Sequence, residues 1–267
     1  MKSYRSSRSA QIIFKVLLGG FVLIPILSVL AVSLRSPTPL HVDSAAAFVE
    51  RFFSLEQYRD ILFHNLDYWI CFWNTVLLLV PSMVLTVISA SLAAYGLSCW
   101  GRSKGQTAIV MGYILLSLPP VQILLVPNFI ALSAMGLIGS RLSVVLIVSF
   151  SPYYVYFLSR ICGQLLPEIF EAARMEGAGE LEIYWFIAMP QMKSGIGLLL
   201  LIGAADLWNM VEQPLALLQN PSKYPLTLMF RSINSGIQYA GSIIFSLPFV
   251  ILLFCFGREA AKSLEHI

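Results

Sequence analysis

Six apolar runs constrain this chain more than any other feature. A helix that crosses a bilayer needs about 20 mainly apolar residues, because the hydrocarbon layer is about 30 Å thick and a helix rises about 1.5 Å per residue. Residues 12–34, 72–97, 108–126, 142–158, 195–211 and 240–256 meet that need, the third run with Pro119-Pro120 near its far end. Residues 127–137 remain apolar but are too few to cross again, and read as an interfacial or re-entrant helix. With 58% hydrophobic and 12% charged residues in 267, the apolar content exceeds what a soluble core of this length uses. The pattern predicts an all-α integral membrane protein with six transmembrane helices.

Orientation follows from Lys and Arg, which are enriched on the cytoplasmic side of membrane proteins. With the N-terminus inside, Lys2, Arg5, Arg8, Lys15, Arg102, Lys104, Arg160, Arg174, Lys193, Arg258 and Lys262 are cytoplasmic, 11 of the 17 basic residues. Arg35, Arg51, Arg59, Arg141, Lys223 and Arg231 fall outside. Both termini are therefore expected in the cytoplasm. The first run follows a basic lead-in, as a signal peptide does, but it is too long and no small-residue cleavage site follows. It is expected to stay as a helix.

Several functions are disfavoured. A net charge of +3 with dispersed basic residues gives no nucleic-acid footprint. Cys71, Cys99, Cys162 and Cys255 are far apart with no CxxC pair, so they read as packing residues. His41, His64 and His266 lie in loops or the tail, and no HExxH is present, so neither a metal site nor a hydrolase is signalled. No GxxxxGK[ST] loop is present, leaving the chain no visible means of binding ATP itself.

The polar segment between the fourth and fifth runs stands apart. From Pro167 to Gly179 it holds helix formers ended by Gly177 and Gly179, with Pro167 suited to a first turn. Ile169, Phe170, Ala173 and Met175 give this helix an apolar surface, and Glu168, Glu171 and Arg174 keep it wet. A second short helix, over 180–188, returns the chain to the bilayer before Pro190. Small residues at Ala172 and Ala173 suit a groove in a partner. The other reading is an amphipathic loop on the lipid surface, although such helices usually carry Lys and Arg where this one carries Glu.

Glu171-Ala172-Ala173, Gly177, Ile187 and Pro190 resemble the EAA motif of binding-protein-dependent type I ABC importer permeases. Met189 stands where that motif has Leu, and Glu176 where it usually has Asp. Further segments resemble the sugar, maltose-type branch: 53–58 before the second helix, Asn74-Thr75 at its start and 93–97 at its end. Pro119-Pro120-Val121, Gly136-Leu137, Trp208-Asn209 and Pro214-Leu215 extend the likeness over nearly the whole chain. The C-terminal stretch 257–267 departs from the ending common in sugar permeases.

The resemblance implies a type I ABC importer permease fold with three divisions. These are 1–69, the N-terminal segment, first helix and outer loop; 70–258, the permease core with its coupling loop at 167–190; and the tail, 259–267. It implies a second permease subunit, expected to be a different chain, two ATPase subunits that bind ATP and Mg, and an extracytoplasmic substrate-binding protein. The chain itself is expected to hold no cofactor and to hydrolyse nothing. Glu171, Ala172, Ala173, Gly177, Ile187 and Pro190 would couple it to the ATPase, in a bacterial or archaeal cell membrane. The solute would be a sugar or oligosaccharide, and a polyamine, phosphate or peptide permease is the alternative.

Asp206, Trp208, Asn209 and Glu212 fall in the outer part of the fifth run, where ionisable groups usually face a bundle interior or cavity. Asp206 and Asn209 beside Trp208 offer acceptors for sugar hydroxyls next to an aromatic face, and Gln122, Tyr153 and Tyr154 are further pathway candidates. The same residues also suit helix ties and an interfacial Trp. An ion-coupled secondary transporter would use membrane carboxylates too, but no repeated pair of broken helices is visible in the sequence.

Overall fold

The computed structural model describes residues 2–36, 53–99, 103–163, 167–230 and 237–265, with side chains described from Phe14 to Gly257 within those spans, Pro167 excepted. His41, Arg51, Arg102, Arg231 and His266 lie outside the described residues, and nothing is stated of the side chains of Lys2, Arg5, Arg8, Arg258 and Lys262.

The described residues are helical throughout, without a strand. In chain order the helices are α1 (Lys2–Ser33), α2 (Glu56–Arg59), α3 (Leu66–Cys99), α4 (Lys104–Ser117), α5 (Val121–Ala134), α6 (Arg141–Ser149) and α7 (Pro152–Cys162). They continue as α8 (Pro167–Met175), α9 (Glu180–Ile183), α10 (Met189–Gln191), α11 (Lys193–Trp208), α12 (Glu212–Leu217), α13 (Leu226–Met229) and α14 (Gln238–Glu265). A wider π-turn, Tyr184–Ala188, joins α9 to α10. Four helical stretches among the described residues are long and apolar enough to cross a membrane: Phe14–Ser33, Leu66–Cys99, Arg141–Cys162 and Gln238–Gly257. Two bent pairs raise the number to six if each is one span.

Both bent pairs depart from straight spans. The third run, expected over 108–126, breaks after Ser117, and α5 leaves α4 at 95°. Pro119 and Pro120 cause the break, because neither supplies a backbone N–H to continue the helix; Leu118 keeps helical dihedrals and the chain turns extended at Pro120, at ψ 145°. The short apolar helix expected over 127–137 is accordingly α5, which begins six residues earlier, at Val121. The fifth run begins at Lys193 and ends at Trp208, not Val211, and its axis lies at 72° to the 180–191 segment. The fourth run is α6 and α7 in series, parted at Phe150 and Ser151, with Pro152 opening the new helix where its missing N–H has no partner to lose.

The chain divides into two compact units, Met1–Trp69 with Ser232–Leu247, and Ile70–Arg231 with Pro248–Ile267. In the first, buried Gln57 turns the chain back on α1, its Nε2 donating to the carbonyls of Val32 and Arg35 at 3.0 and 2.7 Å. These carbonyls lie at and just past the end of α1, where the regular helix hydrogen bonds stop, and Arg35 N also donates to that of Val32 at 3.1 Å. Ser33 and Tyr58 join their hydroxyls at 2.7 Å.

The second unit contains the larger core, in which Leu78, Ala90, Ala94, Val144, Leu158, Ile183, Tyr184, Met192 and Leu199 are fully or almost fully buried. Small polar residues bring its helices together, as is common where lipid replaces water and backbones approach closely. Ser149 donates to the carbonyl of Ser82 at 3.3 Å, and Ser89 to that of Ser149 at 3.2 Å, tying α3 to the end of α6. Gly195 of α11 lies so close to Ile161 and Leu158 of α7 that any Cβ there would meet both. The exposed Leu, Ile, Val and Phe along α1, α3, α5 and α14 are the surface expected of helices in hydrocarbon.

Candidate functional site

The 167–190 segment folds as a helical hairpin on the end of α3. Its turn is a Schellman motif. Ala178 N donates to the carbonyl of Ala173 at 3.0 Å and Gly177 N to that of Arg174 at 3.0 Å, which satisfies carbonyls left over at the end of α8. Closing that pair requires φ +89° at Gly177, in the left-handed region where a side chain is strained. Nothing lies within 4 Å of where a Cβ at Gly177 would sit, so backbone conformation and not space selects glycine. Gly179 then starts α9, with Glu182 Oε2 accepting from its N–H at 2.9 Å.

The hairpin separates the six motif residues. Glu171, Ala172, Gly177 and Pro190 are exposed, Ile187 is half-buried and Ala173 is buried. Ala173 and Phe170 form the inner face of α8, whereas Ile169, Ala172 and Met175 are exposed, Met175 at 88%. α8 thus has a packed inner face and an outer face with both apolar and acidic groups.

Three residues of α3 hold the hairpin: Ser91, which the sequence reading did not single out, Tyr95, which it noted only within the 93–97 likeness, and Cys99, which it read as a packing residue. Tyr95 donates its hydroxyl to Glu180 Oε2 at 2.7 Å, while Arg174 holds the same carboxylate through Nε to Oε1 at 2.7 Å and Nη2 to Oε2 at 3.2 Å. Arg174 Nη2 also donates to Cys99 Sγ at 3.4 Å. The Tyr95 ring meets Phe170 edge-on at 5.9 Å and Tyr184 at 5.7 Å. Ser91 and Tyr184 share a hydroxyl hydrogen bond of 2.7 Å. The Arg174 guanidinium, and after it the Tyr95 hydroxyl, hold the Glu180 carboxyl below its ordinary value. The signal available in the sequence is spacing, since Ser91, Tyr95 and Cys99 recur every four residues along one face of a helix.

The pathway candidates are less gathered. Asp206 is exposed on α11 and accepts from the buried Tyr154 hydroxyl of α7 at 3.0 Å. Gln122 of α5 donates to Glu212 Oε1 of α12 at 2.6 Å. Trp208 is 4% exposed and packs edge-on against Phe72 at 6.0 Å, so it offers no open aromatic face. Asn209 is exposed and donates only to the carbonyl of Ala205 in its own helix, at 2.8 Å. Tyr153 is 44% exposed and stacks edge-on with Tyr154 at 5.5 Å. Among the described residues, no three His, Cys, Asp or Glu side chains are grouped to hold a metal ion.

The other end of α3 carries a second polar cluster. Asn74 donates to the carbonyls of Ser222 and Tyr224 at 2.7 and 3.1 Å and accepts from Arg141 Nη2 at 2.6 Å. Thr75 accepts from Leu226 N at 2.8 Å, and Lys223 donates to the carbonyl of Gly139 at 2.6 Å.

Known proteins resemble this chain along most of its length. No family model matches the sequence. The arabinooligosaccharides transport system permease protein AraQ of Bacillus subtilis (strain 168) is 26% identical over 264 residues, covering 96% of this chain and 94% of that protein. The lactose transport system permease protein LacG of Rhizobium radiobacter is 26% identical over 208 residues, 76% of each chain. A chain in the crystal structure of a bacterial ABC transporter involved in import of the acidic polysaccharide alginate superposes with TM-score 0.76 at 22% identity, over 96% of this chain and 98% of that one. The fold is therefore that of an ABC importer permease. These relatives are sugar transport system permeases, and the likeness to them runs along most of the chain.

Proposed function

We propose that this chain is one permease subunit of an ATP-driven importer for a sugar or oligosaccharide, and that it couples to a separate ATPase through the 167–190 hairpin. The observation that carries the reading is the two-sided hairpin: Ala173 and Phe170 pack inward while Glu171, Ala172 and Met175 face out. A surface of small, acidic and apolar groups on a helix locked by a Schellman turn suits a groove in a partner protein. Basic residues facing anionic lipid would characterise a loop resting on the bilayer, and Arg174 is occupied by Glu180.

In this reading α4 with the bent α5 makes one crossing and α11 alone makes another, the 180–191 arm staying with the cytoplasmic hairpin, which gives six spans with both termini in the cytoplasm. A second permease subunit completes the pathway, two ATPase subunits bind ATP and Mg, and an extracytoplasmic binding protein delivers the solute. Closure of the ATPase pair moves the hairpin, and the permease passes from inward-facing to outward-facing by rigid-body motion. Asp206 and the exposed Asn209, with Glu212, Gln122 and Tyr153 as weaker contributors, line this chain's share of the pathway. The membrane is the bacterial or archaeal cell membrane.

Purification of the tagged chain from mild detergent, followed by reconstitution of what copurifies, tests the reading. Recovery of an ATPase and a second permease, with saccharide uptake only when ATP and binding protein are supplied, is the expected result. A chain that purifies alone and moves solute without ATP overturns it.

A further inference from the structure

We propose that α3 passes the displacement of the hairpin to the loop at 220–226, and that Tyr95, Glu180 and Arg174 are the positioning residues that lock α3 to the hairpin. The inference rests on the hairpin being the coupling segment.

Both ends of α3 are clamped, each by directional contacts. At the hairpin end, Ser91, Tyr95 and Cys99 form one stripe that reaches both arms: Cys99 touches Arg174 near the end of α8, Tyr95 touches Phe170 of α8 and Glu180 of α9, and Ser91 holds Tyr184 in the π-turn. Ser91 and Tyr184 are buried, and the Tyr95 ring lies between Phe170 and Tyr184, so the arms cannot shift along α3 without breaking packed contacts. Arg174 and Glu180 also join the two arms to each other, which makes the hairpin one body with the end of the helix. At the far end, Asn74 and Thr75 hold the backbone of Ser222, Tyr224 and Leu226.

Between the clamps α3 remains a single helix, although Pro81 lies within it and removes one backbone hydrogen bond. From Asn74 to Cys99 it spans about 38 Å at about 1.5 Å per residue. A hydrogen-bonded helix displaced at one end carries its other end with it. The alternative route through α11 is less direct, because a 72° bend before Lys193 turns that span away from the axis of the 180–191 arm. The clamped, unbroken helix is the better conductor.

The test uses the complete importer in right-side-out vesicles with ATP trapped inside. Ser222→Cys places a thiol on the exposed loop without altering the backbone carbonyl that Asn74 holds, and a membrane-impermeant maleimide reads its accessibility. In the parent, labelling at this position is expected to differ about threefold between ATP-loaded and ATP-free vesicles, as a two-state change of the outer face requires. Tyr95→Phe, which keeps the ring and removes one oxygen, and Arg174→Glu are each expected to abolish that difference. ATP hydrolysis should continue, while solute moved per ATP falls about tenfold, in line with loss of a charge-assisted bond that fixes geometry. The exchange variant Arg174→Glu with Glu180→Arg should recover transport per ATP, which a fold defect would not. Nucleotide-dependent labelling and transport per ATP that stay at parental levels in both single variants overturn the role of α3. A parent whose uptake is indifferent to ATP overturns the coupling reading itself, a separate and earlier failure.

Discussion

Tyr154 and Asp206 join α7 to α11 through a 3.0 Å hydrogen bond in which a buried hydroxyl donates to an exposed carboxylate. The asymmetry fixes what substitution does. Tyr154→Phe removes a donor and leaves Asp206 open to other partners, so it should lower stability by only about 1 kcal/mol. Asp206→Ala strands the Tyr154 hydroxyl, itself 6% exposed, and should cost about 1–3 kcal/mol. Thermal unfolding of the two variants in one detergent gives the order directly, and a Tyr154→Phe chain less stable than Asp206→Ala contradicts it.

Asn209 bonds only within its own helix and is exposed, so Asn209→Ala should leave stability within about 0.5 kcal/mol of the parent. Any change in uptake then reports on the solute and not on folding. A raised half-saturation concentration for saccharide, at unchanged ATPase assembly, is the expected outcome. Unaltered transport kinetics would remove Asn209 from the pathway.

At Gly177 the two demands of the site are separable. The φ of +89° disfavours any side chain, yet Asn and Asp enter that region several-fold more readily than other residues, and they differ chiefly in charge. Gly177→Asn should retain much of the uptake, and Gly177→Asp should lose it while the chain still inserts, because the carboxylate adds to Glu171 and Glu176 on an already acidic docking surface. Equal uptake by the two variants would show that charge at this turn does not matter for coupling.

How legible the chain was depends on which interaction set each feature. Runs of 17 or more apolar residues marked the apolar helices, four of which are long enough to cross among the described residues, because lipid demands length and hydropathy, both one-dimensional properties. Pro119-Pro120 stands near the far end of the third run in the sequence, but a 95° turn there depends on what α5 lies against, so the run extends past the break. The hairpin could be read because Pro167, Gly177 and Gly179 act locally, through backbone geometry. The clasp could not. Tyr95 meets Glu180 across 85 positions of sequence and Asn74 meets Tyr224 across 150, and no local pattern encodes such a pairing. Trp208 failed as an open sugar platform for a related reason. A Trp near the end of a span looks the same in sequence whether it faces a cavity or, as here, Phe72.

Gly195 allows α11 to approach α7 at Ile161 and Leu158. Gly195→Ala should be nearly tolerated, since the Ile161 δ-methyl is the free end of a flexible side chain. Gly195→Leu must displace the whole contact and should cost about 1–3 kcal/mol, the usual range for overpacking a filled interior. Pairing it with Ile161→Ala should restore part of the loss, because the two changes share one contact. Strictly additive losses in the double variant would show that Gly195 is set by something other than Ile161.

Asn74 serves three partners at once, two carbonyls through its amide nitrogen and the Arg141 guanidinium through its oxygen. Only an amide has a donor and an acceptor in that arrangement. Asn74→Asp places an opposite charge beside Arg141, which favours it, but turns an acceptor toward the carbonyls of Ser222 and Tyr224, which already accept. Because Asn74 is 3% exposed, the repelled oxygens cannot turn to water, and the variant should lose about 1–3 kcal/mol despite the new ion pair. Asn74→Ala also strands both carbonyls and should fall in the same range, whereas a surface pairing would have made the aspartate the more stable of the two by up to about 1 kcal/mol. Detergent unfolding of the pair decides between these, and an aspartate variant as stable as the parent would mean that the loop at 220–226 does not depend on Asn74 for its place.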